Sequence, residues 1–253
     1  MKRISIASKD KRFIYAKEML MQSGYDCEIC EPYSICNGDV LLLSPKAEYD
    51  ENEIEALFTK GKNIKAVFTG QEKIVEKYFS GAIIDYSCDE TFLLENAYIT
   101  AQCAIRRTLE DMDSVIYGKN ALVIGYGRIG KYLASMLKSL GAIVFVSARR
   151  EESLKDAELA GMKPCKISEI DLKSLDLVYN TVPYKIVSKE ISDGFSPDAL
   201  VMELASGCGG FEDESACAKA LGLPGKYMPK SAGKAISDLV CRTLSQNGER
   251  RIL

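Results

Sequence analysis

A chain of 253 residues, 47% hydrophobic and 27% charged, is long enough for one large or two small domains and has ordinary globular composition. Its net charge of -3 offers no basic field for nucleic acid. No apolar run approaches the roughly 20 residues of a membrane span, and Met1 to Ala7 reads as a short strand rather than a signal peptide, so a cytoplasmic protein is expected.

Two residue types narrow the chemistry further. Histidine is absent, which excludes the His-carboxylate pair of 2-hydroxyacid dehydrogenases and the Ser-His and Cys-His nucleophile systems. Any proton transfer must use Lys, Tyr, Cys, Asp, Glu or water. The nine cysteines lack paired CxxC clusters. Cys27 and Cys30 are spaced like a metal pair, but no second pair follows, so reduced thiols and no metal site are expected.

In chain order, short apolar runs alternate with amphipathic ones. Ile4 to Ala7, Cys27 to Ile29, Val40 to Leu43, Ala66 to Phe68 and Ile83 to Ile84 predict strands. Phe13 to Met21, Asn52 to Thr59 and Lys73 to Phe79 predict helices. Phe92 to Tyr117 predicts a long connecting helix. Such alternation implies parallel sheets with helices on both faces. The expected fold is α/β: a flavodoxin-like substrate domain over residues 1–92 and a Rossmann dinucleotide-binding domain over 93–230. Both are doubly wound parallel-sheet domains, joined by the long helix, and a C-terminal helix 231–247 is expected to pack back on the first. A ligand is expected in the cleft between them.

The centre of the chain carries the clearest motif. A strand-like run, Asn120 to Ile124, leads into Gly125-Tyr126-Gly127-Arg128-Ile129-Gly130. In this fingerprint the first glycine permits a tight turn, the second lets a pyrophosphate approach bare backbone, and the third lets the next helix pack close to the strand. Leu133, Met136, Leu137 and Leu140 then make one apolar helical face, Gly141 supplies a left-handed C-cap, and Ile143 to Val146 forms a second strand. The strand ends in Ser147-Ala148-Arg149-Arg150, with no carboxylate before Glu151. A hydroxyl and two guanidiniums suit a ribose 2′-phosphate, so NADP is preferred. The alternative is that both arginines are solvated residues opening the next helix, and NAD then binds through backbone contacts alone.

A helix from Glu151 to Leu159 follows, with a turn at Gly161. Two further strands, Leu175 to Asn180 and Leu200 to Leu204, end in Thr181-Val182-Pro183 and in Ala205-Ser206 with Gly207, Gly209 and Gly210. Ligands collect beyond the carboxyl ends of such strands, which assigns Thr181, Val182, Pro183, Ala205 and Ser206 to the nicotinamide half of the cofactor. Each is equally an ordinary turn residue when taken singly. The last motif, Leu223 to Gly233, precedes a predicted amphipathic helix ending near Gln246. Lys230 and Ser231 lie where a helix start would accept a carboxylate, although spacing alone favours a solvated lysine.

Several stretches combine into a family pattern. They are Asn96 with Thr100-Ala101, the glycine loop, Val146 to Arg149, Asn180 to Pro183, Leu204-Ala205-Ser206 with Gly209-Gly210, and Gly222 to Gly225 with Pro229 to Gly233. Together they resemble the A subunits of dipicolinate synthase, best from Asn96 onward, and Asp10 and Arg12 match that family's early Asp-x-Arg. More distantly, the second half is similar to the NAD-binding domains of 2-hydroxyacid dehydrogenases and adenosylhomocysteinases.

The resemblance implies oxidation of a dihydrodipicolinate-type intermediate to dipicolinate in a sporulating mother cell, beside a flavoprotein-like B subunit. It implies catalytic roles for Asn96, Thr100, Lys230 and Ser231, and dicarboxylate binding by Arg12, Gly225, Lys230 and Ser231. Homo-oligomerisation is left open. The pattern departs at Gln102, where the family has Glu, and at Gly207, where it has Arg. It also departs between a helix expected near Ala220 and Leu223, a segment short enough to lack a strand. Those departures motivate a second reading, an NADP-sensing regulatory subunit. The third, opposed by the missing histidine, is a 2-hydroxyacid dehydrogenase relative.

Overall fold

The computed structural model describes residues 2–30, 38–46, 48–61 and 63–246. The chain divides into two compact units, Met1–Asn96 with Pro224–Leu253, and Ala97–Leu223.

The first unit contains β1 (Arg3–Ile6), α1 (Arg12–Gln22), β2 (Asp26–Ile29), β3 (Val40–Leu42), α2 (Glu51–Lys60), β4 (Ala66–Thr69), α3 (Glu72–Val75) and β5 (Ala82–Asp85). The strands are all parallel, in the order β2-β1-β3-β4-β5. This is the flavodoxin-like order, whose direction of winding reverses between β1 and β3. β3 and β4 are buried throughout because helices cover both faces, so they read as continuous apolar runs rather than alternating ones. Asp50 caps α2 reciprocally with Glu53, each side chain bonding the other's backbone N–H. The predicted helix from Lys73 to Phe79 shortens to one turn, after which Phe79 leaves the helix to stack on Phe58.

Helix α4 (Glu90–Asp111) runs across the division between the units. It stops short of the predicted Tyr117. Ile116 is buried outside the helix, and Gly118 adopts a positive φ of 76° in the turn that leads to the next strand.

The second unit continues with β6 (Asn120–Ile124), α5 (Arg128–Ser139), β7 (Ile143–Ser147), α6 (Glu151–Leu159), β8 (Lys163–Pro164), β9 (Leu177–Asn180), α7 (Lys189–Asp193), β10 (Leu200–Glu203) and β11 (Ala218–Lys219). The order β11-β10-β9-β6-β7-β8 is wholly parallel and matches the doubly wound dinucleotide-binding arrangement, with its reversal between β6 and β9. Leu122, Ile124, Val178, Val187, Phe195 and Phe211 build the core on one face. On α5, Leu133 and Leu137 are fully buried, but Leu140 is 44% exposed because the helix ends there. Gly141 (φ 85°) then lets Ala142 N–H reach back to the Leu137 carbonyl.

Three expectations change at the ends of elements. Leu175 lies outside β9, since a single 3₁₀ turn at Leu172–Ser174 precedes that strand. No helix forms near Ala220. A 3₁₀ turn at Glu214–Ala216 leads instead into β11, which ends before Ala220, and the segment from there to Leu223 is a turn with no strand. The segment from Leu223 to Gly233 is helical rather than a loop: α8 (Leu223–Tyr227) is followed by α9 (Pro229–Gln246). Pro229 occupies the first position of α9, where a missing N–H costs nothing. Helix α9 packs along α1 in the first unit, where a Cβ at Gly233 would lie 2.4 Å from the Arg12 carbonyl oxygen. The expected last helical residue, 247, lies outside the described residues.

Candidate functional site

The glycine loop joins β6 to α5 at the point where the second sheet reverses its winding. Its three glycines meet different constraints. Gly125 has φ 96°, and a Cβ there would lie 2.4 Å from Thr181 Oγ1 and 2.7 Å from Val182 Cγ2. Gly130 packs so closely that its Cβ would stand 2.2 Å from the Gly125 carbonyl oxygen. Gly127 is the opposite case, with no heavy atom within 4 Å of such a Cβ. It is the N-cap of α5 and has no side chain to bond the first-turn N–H groups. A 12-residue helix start without a side-chain cap, facing open space, fits a pyrophosphate.

A cavity of about 370 Å³ extends from this loop. Ser147, Arg149, Arg150 and Ser153 line it on the α6 side, and Thr181, Val182 and Tyr184 on the β9 side. Arg149 and Arg150 are exposed in the bend before α6, and neither forms an ion pair among the described residues. The fit to a dinucleotide therefore rests on this open loop and on two uncommitted cations at the ribose end. Arg128 and Ile129 open α5, the former exposed and the latter half-buried. Tyr126 is buried in the loop with Lys131 5.5 Å from its ring centroid. Burial raises the Tyr126 phenol pKa, partly offset by Lys131.

Beyond β9, Thr181 Oγ1 donates to the Ile124 carbonyl at 3.0 Å, and Pro183 is exposed. Beyond β10, Ala205 is buried while Ser206 is exposed. Sequence reasoning missed Glu203 and overlooked the Asn180 side chain, because a carboxylate and an amide inside apolar strands carry no recognisable spacing. Both are buried and bond each other at 2.8 Å.

The first unit holds the other candidates. Arg12 is 3% exposed, and its Nε and Nη2 donate to Asp10 Oδ2 at 2.9 and 2.7 Å. Burial pushes the Asp10 carboxyl up, but the hydrogen bonds and charge of Arg12 outweigh it and hold the group below its ordinary value. Gly225 packs on this pair, with a would-be Cβ 3.0 Å from Asp10 Oδ1. Glu48 accepts from Ser8 Oγ at 2.6 Å and from the Lys9 N–H. Lys46, after β3, was not anticipated. Burial lowers its pKa, the like charge of Arg12 adds to this, and Asp10 opposes it. Asn96 and Thr100 stand one turn apart on α4, Thr100 being buried. Lys230 and Ser231 are exposed in the first turn of α9 rather than ahead of it.

Residues 96–219 match the S-adenosyl-L-homocysteine hydrolase NAD-binding domain model. The A subunit of dipicolinate synthase from Bacillus subtilis is 31% identical over 159 residues, which cover 60% of this chain and 54% of that protein. The chain thus spans about half the length of that relative in sequence. In structure, the same Bacillus subtilis protein superposes with a TM-score of 0.79 at 20% identity, covering 99% of this chain and 98% of that one. Its counterpart from Bacillus halodurans gives 0.77 at 23% identity, covering 96% and 97%. Over part of its length the chain is thus similar to the A subunit of dipicolinate synthase, its two parallel-sheet α/β units share that protein's fold, and its second unit matches a family model described as an NAD-binding domain.

Proposed function

We propose that the protein is the NADP-preferring A subunit of a dipicolinate-forming oxidoreductase, acting on a dihydrodipicolinate-type substrate with a flavoprotein-like B subunit in the mother-cell cytoplasm of a sporulating bacterium. The observation that carries this reading is the glycine loop, whose cavity runs to the uncommitted Arg149 and Arg150. The homology to dipicolinate synthase supplies the substrate class.

A dinucleotide held here would supply the hydride acceptor for the oxidation. The ring also loses a proton, and the product becomes an aromatic pyridine, so the chain must orient a dicarboxylate and take up that proton rather than form a covalent bond. In this reading Gly127 and the first turn of α5 hold the pyrophosphate, while Arg149 and Arg150 hold the 2′-phosphate. Arg12 gives its guanidinium to Asp10, so its contribution is to shape the strand ends near Lys46, whose charge it opposes. In this reading Lys230 and Ser231, exposed at a helix start, would receive a carboxylate. Asn96 and Thr100 remain candidates for contacts to the reacting groups.

The test is reduction of NADP by the purified chain, with and without a B-type flavoprotein, when dihydrodipicolinate synthase supplies substrate. Growth of absorbance at the reduced-nicotinamide band is expected, faster with NADP than with NAD. Absence of turnover with the partner present overturns the proposal. One observation favours the regulatory reading. Gly207 has φ 81°, a conformation disfavoured for the arginine the family carries there, so this loop differs where a substrate-binding cation would stand. Cofactor-dependent thermal stabilisation without turnover is its signature.

A further inference from the structure

Asn180 and Glu203 end neighbouring parallel strands and face each other in register. They are 0% and 4% exposed. The Glu203 carboxylate accepts three N–H groups, Oε1 from Asn180 Nδ2 and Ala205 N, both at 2.8 Å, and Oε2 from Gly210 N at 2.6 Å. Asn180 in turn grips Val182 from both sides, its Oδ1 accepting the Val182 N–H at 3.1 Å and its Nδ2 donating to the Val182 carbonyl at 2.8 Å. Thr181, between them, is bonded to the Ile124 carbonyl just ahead of the glycine loop.

One buried carboxylate therefore ties together the strand-end segments that follow β9 and β10. The fit is tight. A Cβ at Gly210 would come 2.3 Å from Asn180 Nδ2, and one at Gly209, where φ is 65°, would come 3.1 Å from Glu203 Oε2. Only an ionised carboxylate offers acceptors on both oxygens and no donor. Glutamine, of nearly the same shape, would set an NH₂ against another N–H. Stability alone gives little reason for such a group, since burying a charge is costly and apolar packing often serves a core as well. What the network does is hold Thr181 and Val182 at the reversal of the sheet, where a dinucleotide's reactive half belongs, and Ala205 at the end of the neighbouring strand.

We infer that Glu203 is a positioning residue, which acts through Asn180 and the Ala205 and Gly210 amides to set affinity for the nicotinamide half of the cofactor and leaves the adenosine half alone. The inference rests on the dinucleotide-binding reading of this unit.

The experiment is calorimetric titration of the full chain and Glu203→Gln with NADP, NAD and the adenosine-half probes 2′,5′-ADP and AMP. The wild type should bind a dinucleotide more tightly than its matching probe. In the variant the probe's affinity should stay within about twofold while the dinucleotide's falls about tenfold, as loss of a charged hydrogen-bond network implies. The unchanged probe affinity also reports that the unit is folded, and a merely structural defect would weaken both ligands equally. If Glu203→Gln does not fold, Gly209→Ala carries the same expectation, because it presses on Oε2 while keeping the carboxylate and Asn180. A dinucleotide-to-probe ratio unchanged from wild type, or both ligands weakened in parallel, overturns the inference alone. Failure of the wild type to bind any of the four overturns the dinucleotide reading and the inference with it.

Discussion

Both units put their polar residues beyond the carboxyl ends of parallel strands, but the first does so with side chains that neutralise one another and the second with backbone that stays open. At the reversal between β1 and β3, Arg12 is bound to Asp10, and Glu48 takes the Ser8 hydroxyl and the Lys9 N–H. At the reversal between β6 and β9, Gly127 leaves the start of α5 bare. One architecture thus yields two kinds of surface. A charged cluster that satisfies itself holds loops together, whereas a helix start with no side-chain cap presents open backbone.

The sharpest way to break that comparison is at the glycines. Gly127→Val should leave the fold intact, because no heavy atom lies within 4 Å of the new Cβ, yet block the pyrophosphate. Dinucleotide affinity should fall by on the order of 100-fold or more with an unchanged melting temperature, given that a phosphate held by charge-assisted bonds loses several of them. Gly130→Ala should do the reverse, lowering the melting temperature by collision with the Gly125 carbonyl. Equal melting temperatures for the two variants would show that the loop is not packed as described.

In the first unit the next largest effect is on stability. Asp10→Asn removes the charge that compensates a guanidinium whose side chain is 4% exposed, and should cost about 3 kcal/mol without changing dinucleotide affinity. The sign of its pH dependence follows from a carboxyl held below its ordinary 3.8. Its contribution is full above that value and is lost as pH falls through the lower folded value. Denaturant midpoints of wild type and variant should therefore converge in acid. Parallel curves would mean that Asp10 contributes nothing through its charge.

The smallest expected effect sharpens cofactor choice. Arg149→Ala with Arg150→Ala should weaken NADP about tenfold and leave NAD unchanged, since exposed charged hydrogen bonds contribute modestly and are screened by salt. Equal losses for both nucleotides would remove the basis for an NADP preference.

Local pattern was enough where one element carries its own signal. The glycine loop, the helix after it and the strand ends at Thr181 and Ala205 were all legible, because a turn needing positive φ, a 3.6-residue apolar period and an uninterrupted β run are written in adjacent residues. The signal failed at terminations. Lys73 to Phe79 keeps helical spacing, yet Phe79 leaves after one turn for Phe58. The proline and glycine punctuation around Leu223 to Gly233 reads as loop, yet Pro229 opens a helix that packs on α1.

By itself, then, the sequence determined the α/β alternation, a glycine loop between a strand and a helix, and the absence of any histidine, because each depends on residue type and short-range spacing. Only the tertiary structure decided that Arg12 is committed to Asp10, that Lys46 lies within reach of their charges, and that Glu203 and Asn180 join two loops. Asn180 and Glu203 come from different strands, and even for Asp10 and Arg12, two residues apart, the commitment depends on burial and on which donors face which acceptors. No linear spacing encodes that.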